Sequence, residues 1–578
     1  MATFCTPIEI SGMSTPTSNN DGSHSDVVLR GGMILLAVVI SLLLCYRMTI
    51  GVDLTDESYY LSFLDGWLKT GFRSSDALGL HQTAEMLVFP FVKIFAAVQP
   101  TEDGLALFNR FIYLVMSLIS GYCFFRFART RQTFPVAVLC GIAVTSFIPF
   151  SLPSPSYNTL GMLGMLCAVA AFATFSEVQK PRWLMTSAVA WMVSVLAYPT
   201  FVVVLASFLV AIAAVPILRP NFRRYVVWCL IFQIVGLGLL LSAFGVNRLM
   251  QIIEFTNSSL QVSTGLGGKL SKAAMLIGAS DVFVTLCLAS IAVGIFAGRG
   301  PRRSLHAWVT GAVITGILVA ARFAGPFLYA TSHDYAFLLA IAGTTFFLTE
   351  TITKTRNDHA MTAYFFVGLF AGIVTSLTAT NSIVNFAIGG FICVCVFLLA
   401  IFPKREVERH SHLALLCLVA GLFLMSNFTF IYGESVNPLS SPPAKRIENG
   451  VFAGLLTTED KARAINETTA FLATIPGDSI TAVGRFPSIY LLTRMRPKTL
   501  STWDFSQQNG ATPKIDSAIS RFYGLEANLP SVVLNVTDPW TAAPSESGKQ
   551  LLARYVQTSQ IDAGQWKIDV LVRPPLMK

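Results

Sequence analysis

Apolar residues run unbroken along most of the chain, interrupted by short polar turns rather than alternating with polar positions. The first run covers residues 31 to 46. Others follow near 105 to 125, 134 to 150, 160 to 176, 184 to 198, 200 to 217, 225 to 243, 282 to 297, 305 to 321, 336 to 350, 361 to 377, 383 to 402 and 413 to 432. Each approaches the roughly 20 residues that a bilayer-crossing helix requires, which predicts an α-helical polytopic membrane protein of about thirteen spans. The stretch 85 to 98 differs: it is shorter, carries Pro90 and Lys93, and is flanked by Glu85, Glu102 and Asp103. Segments of that length are more often interfacial or re-entrant than spanning.

Topology supports setting 85 to 98 on the outer surface. With that choice the short turns holding Arg126, Arg129 and Arg131, then Lys180 and Arg182, Arg219, Arg223 and Arg224, Arg299, Arg302 and Arg303, Lys354 and Arg356, and Lys404, Arg405 and Arg409 all fall on one side. Short cytoplasmic loops are enriched in Lys and Arg, so that side is read as cytoplasmic. The longer polar stretches then face out: a first outer loop 47–104, the turn 151–158, a loop from 244 to 281, the loop 322–335 and everything after 432. An integral inner (plasma) membrane protein, multi-pass and with its working face periplasmic or extracytoplasmic, is the expectation.

The ends differ in kind. Residues 1–30 are polar, with too little apolar surface to fold, and are expected to form a disordered cytoplasmic tail. Residues 31–432 are the transmembrane part. In 433–578, short β-branched runs (479 to 483, 489 to 492, 532 to 536, 568 to 572) alternate with helical stretches at 458 to 474 and 515 to 523, the pattern of a small, separate α/β domain. No Gly-rich phosphate fingerprint follows any of those runs, and the domain is expected to cap the membrane part without chemistry of its own.

Composition agrees: hydrophobic residues make up 53% of 578 and charged residues 13%, about half the share usual in soluble chains. The net charge of +9 would suggest a nucleic-acid partner in a soluble protein. Here the basic residues sit in the short turns, which excludes nucleic acid and leaves membrane lipids as their partners. The ten cysteines lie in the tail or in apolar runs, with no spacing for a metal or a disulfide.

Chemistry concentrates just beyond the first span, where Asp53, Asp56 and Glu57 precede Ser58, Tyr59 and Tyr60. Carboxylates at a membrane surface are costly unless they bind or react. A structural alternative is that Thr55 or Asp56 caps a helix running on to Leu68. Cations suited to a phosphate occur on the same outer side: Arg322 and His333 at the two ends of one loop, and Arg248, Lys269 and Lys272 on another. Snorkelling to lipid headgroups is the competing role for these. Arg73, His81 and Glu85 could line an entrance, Tyr157 and Asn158 offer hydrogen bonds after a proline turn, and Asp65 and Asp76 read as solvated loop residues.

The string Asp56-Glu57-Ser58-Tyr59-Tyr60 at the outer end of the first helix, the long first outer loop with its juxtamembrane segment, the string Pro155-Ser156-Tyr157-Asn158 and the string Gly484-Arg485-Phe486-Pro487-Ser488-Ile489-Tyr490 together resemble the GT-C class of integral-membrane glycosyltransferases. The resemblance is to the group of protein O-mannosyltransferases and the lipid A aminoarabinose transferase. It implies a polyprenyl-phosphate sugar donor, an acceptor glycan, lipid or protein, Asp56 as the base, and Glu57 as its supporting or metal-contacting neighbour. Some relatives carry a second carboxylate in the second outer loop. The matching turn 151–158 has only Ser, Tyr and Asn to offer, so a divalent metal ion is left as a possibility and not assigned. A polytopic transporter or lipid flippase, and a polysaccharide polymerase or ligase, are the alternatives. A transporter would place paired ionisable groups inside its helices.

Overall fold

A computed structural model of the chain describes residues 21–72, 76–79, 81–258, 265–299, 304–354, 358–379, 381–401, 409–434, 443–503, 512–537, 543–563 and 566–574. Arg73, Arg302, Arg303, Arg356, Lys404 and Arg405 lie outside the described residues.

Every expected apolar run is helical: α1 (Asp21–Met48), α4 (Leu105–Arg131), α5 (Phe134–Ser146), α6 (Tyr157–Val178), α7 (Pro181–Ala197), α8 (Phe201–Ala214), α9 (Phe222–Asn257), α11 (Asp281–Gly298), α12 (Ser304–Ala324), α13 (Thr331–Thr353), α14 (His359–Thr378), α15 (Phe386–Ala400) and α16 (Arg409–Thr429). Between them lie α2 (Asp56–Thr70), α3 (Gln82–Val98) and α10 (Leu266–Gly278). Among the described residues, 10 helices are long and apolar enough to cross a membrane. Of the other expected spans, α5 has 13 residues, α7 has 17 and α8 has 14. α6 and the helix ending at Ala400 have 94% of their apolar window buried and form the middle of the bundle, whereas α1 at 17% and α9 at 11% lie at its edge. Small residues set the closest approaches. A Cβ on Gly389 would fall 2.1 Å from the Ala371 carbonyl oxygen, so α14 and α15 can touch only with glycine there.

Three expectations change. α1 begins at Asp21, so the second half of its approach, 21–30, is helical; Val27, Val28 and Leu29 extend the apolar run past the expected start. The loop 244–281 is largely helix, because apolar positions recur through Val246, Met250, Ile253 and Phe255; Gly245 (φ 71°) breaks α9 and redirects it. Asp65 is fully buried on α2 and paired with Lys69 at 2.7 Å, so it is no solvated loop residue. Lys69 spans to the C-terminal region, donating to the Tyr490 and Thr493 carbonyls.

That region holds helices α17 (Glu459–Thr474), α18 (Pro513–Gly524) and α19 (Glu546–Leu552). Its strands are β1 (Lys445–Arg446), β2 (Leu456–Thr457), β3 (Ser479–Val483), β4 (Arg496–Pro497), β5 (Val532–Thr537), β6 (Val556–Ala563) and β7 (Trp566–Val572). The main sheet has order β4-β3-β5-β7-β6, parallel among β4, β3 and β5 and antiparallel from β5 outward. Residues 487–491 form a 3-10 turn where a strand was expected, since Pro487 opens the run and lacks a ladder donor.

Val483 and Val533 of the sheet pack on Ile515, Ile519 and Leu551 of α18 and α19 within the same region, whereas other sheet residues join a wider core. One apolar cluster takes in Val52, Leu54, Leu61 and Leu64 of the first outer loop, Phe452 and Leu455, and Ile480, Leu534 and Ile568 of the sheet. Backbone hydrogen bonds cross the same seam: Gly51 N to the Leu456 carbonyl at 2.8 Å, Leu456 N to Thr49 at 2.7 Å, Ala106 N to Val451 at 2.9 Å and Leu78 N to Leu500 at 2.7 Å. The C-terminal region is thus built onto the segment 47–104, beside the acidic cluster.

Candidate functional site

The acidic cluster separates into three carboxylates with three environments. Asp53 caps α2. Its Oδ1 accepts from Thr55 N at 2.9 Å and Thr55 Oγ1 at 2.7 Å, and its Oδ2 from Glu57 N at 2.6 Å. The capping side chain is Asp53, two residues before Thr55 and three before Asp56, the residues expected, and Asp53 lies 1% exposed with both oxygens engaged. That leaves it a positioning role where a catalytic one had been considered. Asp53→Ala should cost about 0.5–2 kcal/mol, read as a lowered unfolding midpoint.

Glu57 is enclosed completely. Its two oxygens accept from Arg110 Nε at 2.7 Å and from the Arg110 terminal nitrogen at 2.5 Å, a forked pair with both side chains buried. Arg110 also donates to the Met48 and Ile50 carbonyls, and the neighbouring Arg47 donates to Asn427, Ile50 and Ser151. The two arginines therefore gather the carbonyls at the end of α1, the 151 turn and α16 around the start of α2. Arg110 thus engages both Glu57 oxygens and fixes the carboxylate beside Asp56. Among the described residues no three His, Cys, Asp or Glu side chains converge as a metal would need.

Asp56 is the least enclosed of the three carboxylates, half-buried where the other two are buried. It sits at the first position of α2, where backbone N–H groups and the helix dipole favour an anion. One oxygen, Oδ2, accepts from the Tyr432 phenol just past α16. Burial lifts its pKa to about 6, with repulsion from Asp53 adding to the rise and the Tyr432 hydrogen bond and Arg485 opposing it. A base of that pKa is poised to take a proton near neutral pH.

Arg485 comes from the loop after β3, in the C-terminal region. It packs over the Trp503 ring at 5.8 Å, its Nε is buried, and it makes no hydrogen bond or ion pair among the described residues. A half-buried guanidinium with open donors beside a carboxylate is suited to a phosphate. Tyr329, held at φ 71°, packs 5.8 Å from Tyr432. Its loop is fixed by Asp334, whose oxygens accept from the Phe327 and Leu328 amides.

Aromatic rings form the remaining wall. His81 lies 4.1 Å from Tyr157, with Tyr60 6.2 Å from each of them; Tyr59 packs 5.2 Å from Trp503 and 5.9 Å from His81. Burial lowers the His81 pKa to about 4, so the ring is neutral at physiological pH. Tyr60, Tyr157 and His81 thus meet at the site.

The other expected ligands do not join it. Both His333 nitrogens are used, Nε2 accepting from Phe150 N at 3.0 Å and Nδ1 donating to the Val384 carbonyl at 2.7 Å. Its part is to hold the 151 turn. Arg248 donates to the Ala77 carbonyl at 2.7 Å and secures the first outer loop. Arg322 ends α12 with a buried, unbonded Nε, near Tyr335 and not among the charges acting on Asp56. Asn158 is buried beside Tyr157 with its carbonyl oxygen unbonded. Residues that sequence reading passed over are Arg485, Tyr432, Tyr329 and Trp503. The string from Gly484 to Tyr490 was the available signal for the first. No family model and no curated protein matches the chain.

Proposed function

We propose that the protein is a glycosyltransferase that moves a sugar from a polyprenyl-phosphate donor to an acceptor glycan, lipid or protein at the outer face of an inner (plasma) membrane, in the manner of the GT-C class. In this reading α5, α7 and α8 are short spans that complete about thirteen crossings. The observation that carries the proposal is the neighbouring pair of Asp56, half-buried with only Oδ2 hydrogen-bonded among the described residues, and Arg485, a cation with no hydrogen bond or ion pair among them. An acceptor hydroxyl would give its proton to Asp56 as its oxygen bonds to the anomeric carbon. The bond from that carbon to the phosphate oxygen breaks, and its electron pair stays with the phosphate, whose charge Arg485 meets. The reaction balances without a metal ion; where one takes part, it would add positive charge on the phosphate. The aromatic wall of Tyr60, Tyr157, His81 and Trp503 gives a sugar ring apolar faces to lie on.

Arg485→Ala should weaken turnover of a polyprenyl-phosphate sugar by roughly 10- to 100-fold, the worth of a charge-assisted hydrogen bond, with Arg485→Lys in between. Unchanged kinetics in both variants would remove Arg485 from the phosphate. The pH profile is a second check. Because Asp56 must be ionised to act and its pKa is raised to about 6, activity should climb as pH passes upward through 6. Tyr432→Phe removes a bond that favours the ionised form, so that limb should move to higher pH.

A further inference from the structure

Behind the aromatic wall, in the first turn of α3, Glu85 is completely buried and neither carboxyl oxygen has a hydrogen-bond partner among the described residues. Gln82, one turn earlier on the same helix, is 2% exposed and its Nε2 is likewise unbonded. Residues three apart lie on one helix face, so an acid and an amide donor stand orphaned side by side. Native interiors satisfy nearly all such groups, and leaving one unmade costs more than a typical hydrogen bond returns. Burial pushes the His81 pKa down to about 4, so that ring supplies no cation near neutral pH. The pair is also in register with the catalytic candidate. The Tyr59 phenol is a near neighbour of both Asp56 and Glu85, and it packs against the backbone at Gly79, where a Cβ would come 2.9 Å from its oxygen.

Resting on the transferase reading, we infer that Glu85 and Gln82 form the subsite that reads hydroxyl groups of the transferred sugar. Burial holds the Glu85 carboxyl well above the usual carboxylate range and so favours its protonated form; a protonated carboxyl both donates and accepts, and an amide nitrogen donates. Together they match neighbouring hydroxyls, which also donate and accept, and suit neither a phosphate nor a hydrocarbon tail. Substrate selection by such a site is steep, because a sugar lacking the matching hydroxyl leaves buried polar groups unpaired.

The test compares wild type with Glu85→Gln, which keeps size, and Gln82→Leu, using polyprenyl-phosphate monosaccharides and their single-deoxy analogues. Turnover is followed together with the protonated-carboxyl band in the infrared spectrum. The expected result is a band that vanishes in Glu85→Gln and shifts in wild type when the preferred donor is added. KM should rise about tenfold in either variant, and the gap from wild type should close for one deoxy analogue. Turnover with an unmoved band and an unchanged KM would overturn the subsite while leaving the transferase reading intact. No turnover of any donor by wild type would overturn both.

Discussion

Arg110→Met alone is expected to lower stability by about 3–5 kcal/mol, the largest loss foreseen for any single replacement around the site. The substitution leaves the Glu57 carboxylate buried without its two nitrogens and frees the Met48 and Ile50 carbonyls as well. Glu57→Leu alone should be nearly as damaging, since it strands the guanidinium beside Arg47. Joining the two changes should restore part of the loss, because an apolar pair of similar volume removes both charges together. Unfolding midpoints in detergent for the two single variants and the double variant form the cycle. A double variant as unstable as the sum of the singles would mean that the pair adds nothing beyond the carbonyl contacts. The pair holds the start of α2, so activity losses at Glu57 need to be read against folding.

Asp56→Asn is expected to act in the opposite way, with folding kept and turnover reduced by about 10²- to 10⁴-fold, the usual worth of a positioned general base. The amide is isosteric, and Asp53 continues to cap the helix. Removing a raised carboxylate should, if anything, favour folding: a group whose folded pKa lies above its ordinary value is stabilising only in acid, and loses stability as pH rises from about 4 through 6. Donor binding, measured by retention of a radiolabelled polyprenyl-phosphate sugar, should survive. Loss of turnover together with a lowered unfolding midpoint would instead assign Asp56 to the fold.

The parts of this architecture that the sequence makes legible are those governed by local pattern. Long apolar runs mark the helices; β3 and β5 stand out as short, buried, largely apolar runs, and β7 because buried Ile568 and Val570 alternate with Lys567 and Asp569. β6 escapes notice, since Gln557, Thr558, Ser559 and Gln560 give an edge strand the composition of a loop. Asp56 is legible from three carboxylates beside a membrane span. Its sorting from Asp53 and Glu57 is not, because that rests on Arg110, which reads as one more helix residue. Tyr432 lies 376 residues from Asp56 in the chain. Arg485 reaches it only because the C-terminal sheet shares its apolar core with the first outer loop. No short-range pattern encodes either meeting. In the proposed reading, that region, expected to cap the membrane part without chemistry of its own, brings a cation to the site.

The most direct test of the central claim is the release of free polyprenyl phosphate from a panel of polyprenyl-phosphate sugars by the purified, full-length protein, with a membrane extract supplying acceptors. The account predicts release with at least one sugar, abolished to within the 10²- to 10⁴-fold window by Asp56→Asn and weakened by Arg485→Ala. A folded wild-type protein that releases none from any donor, or an Asp56→Asn variant that releases it at the full rate, would contradict it.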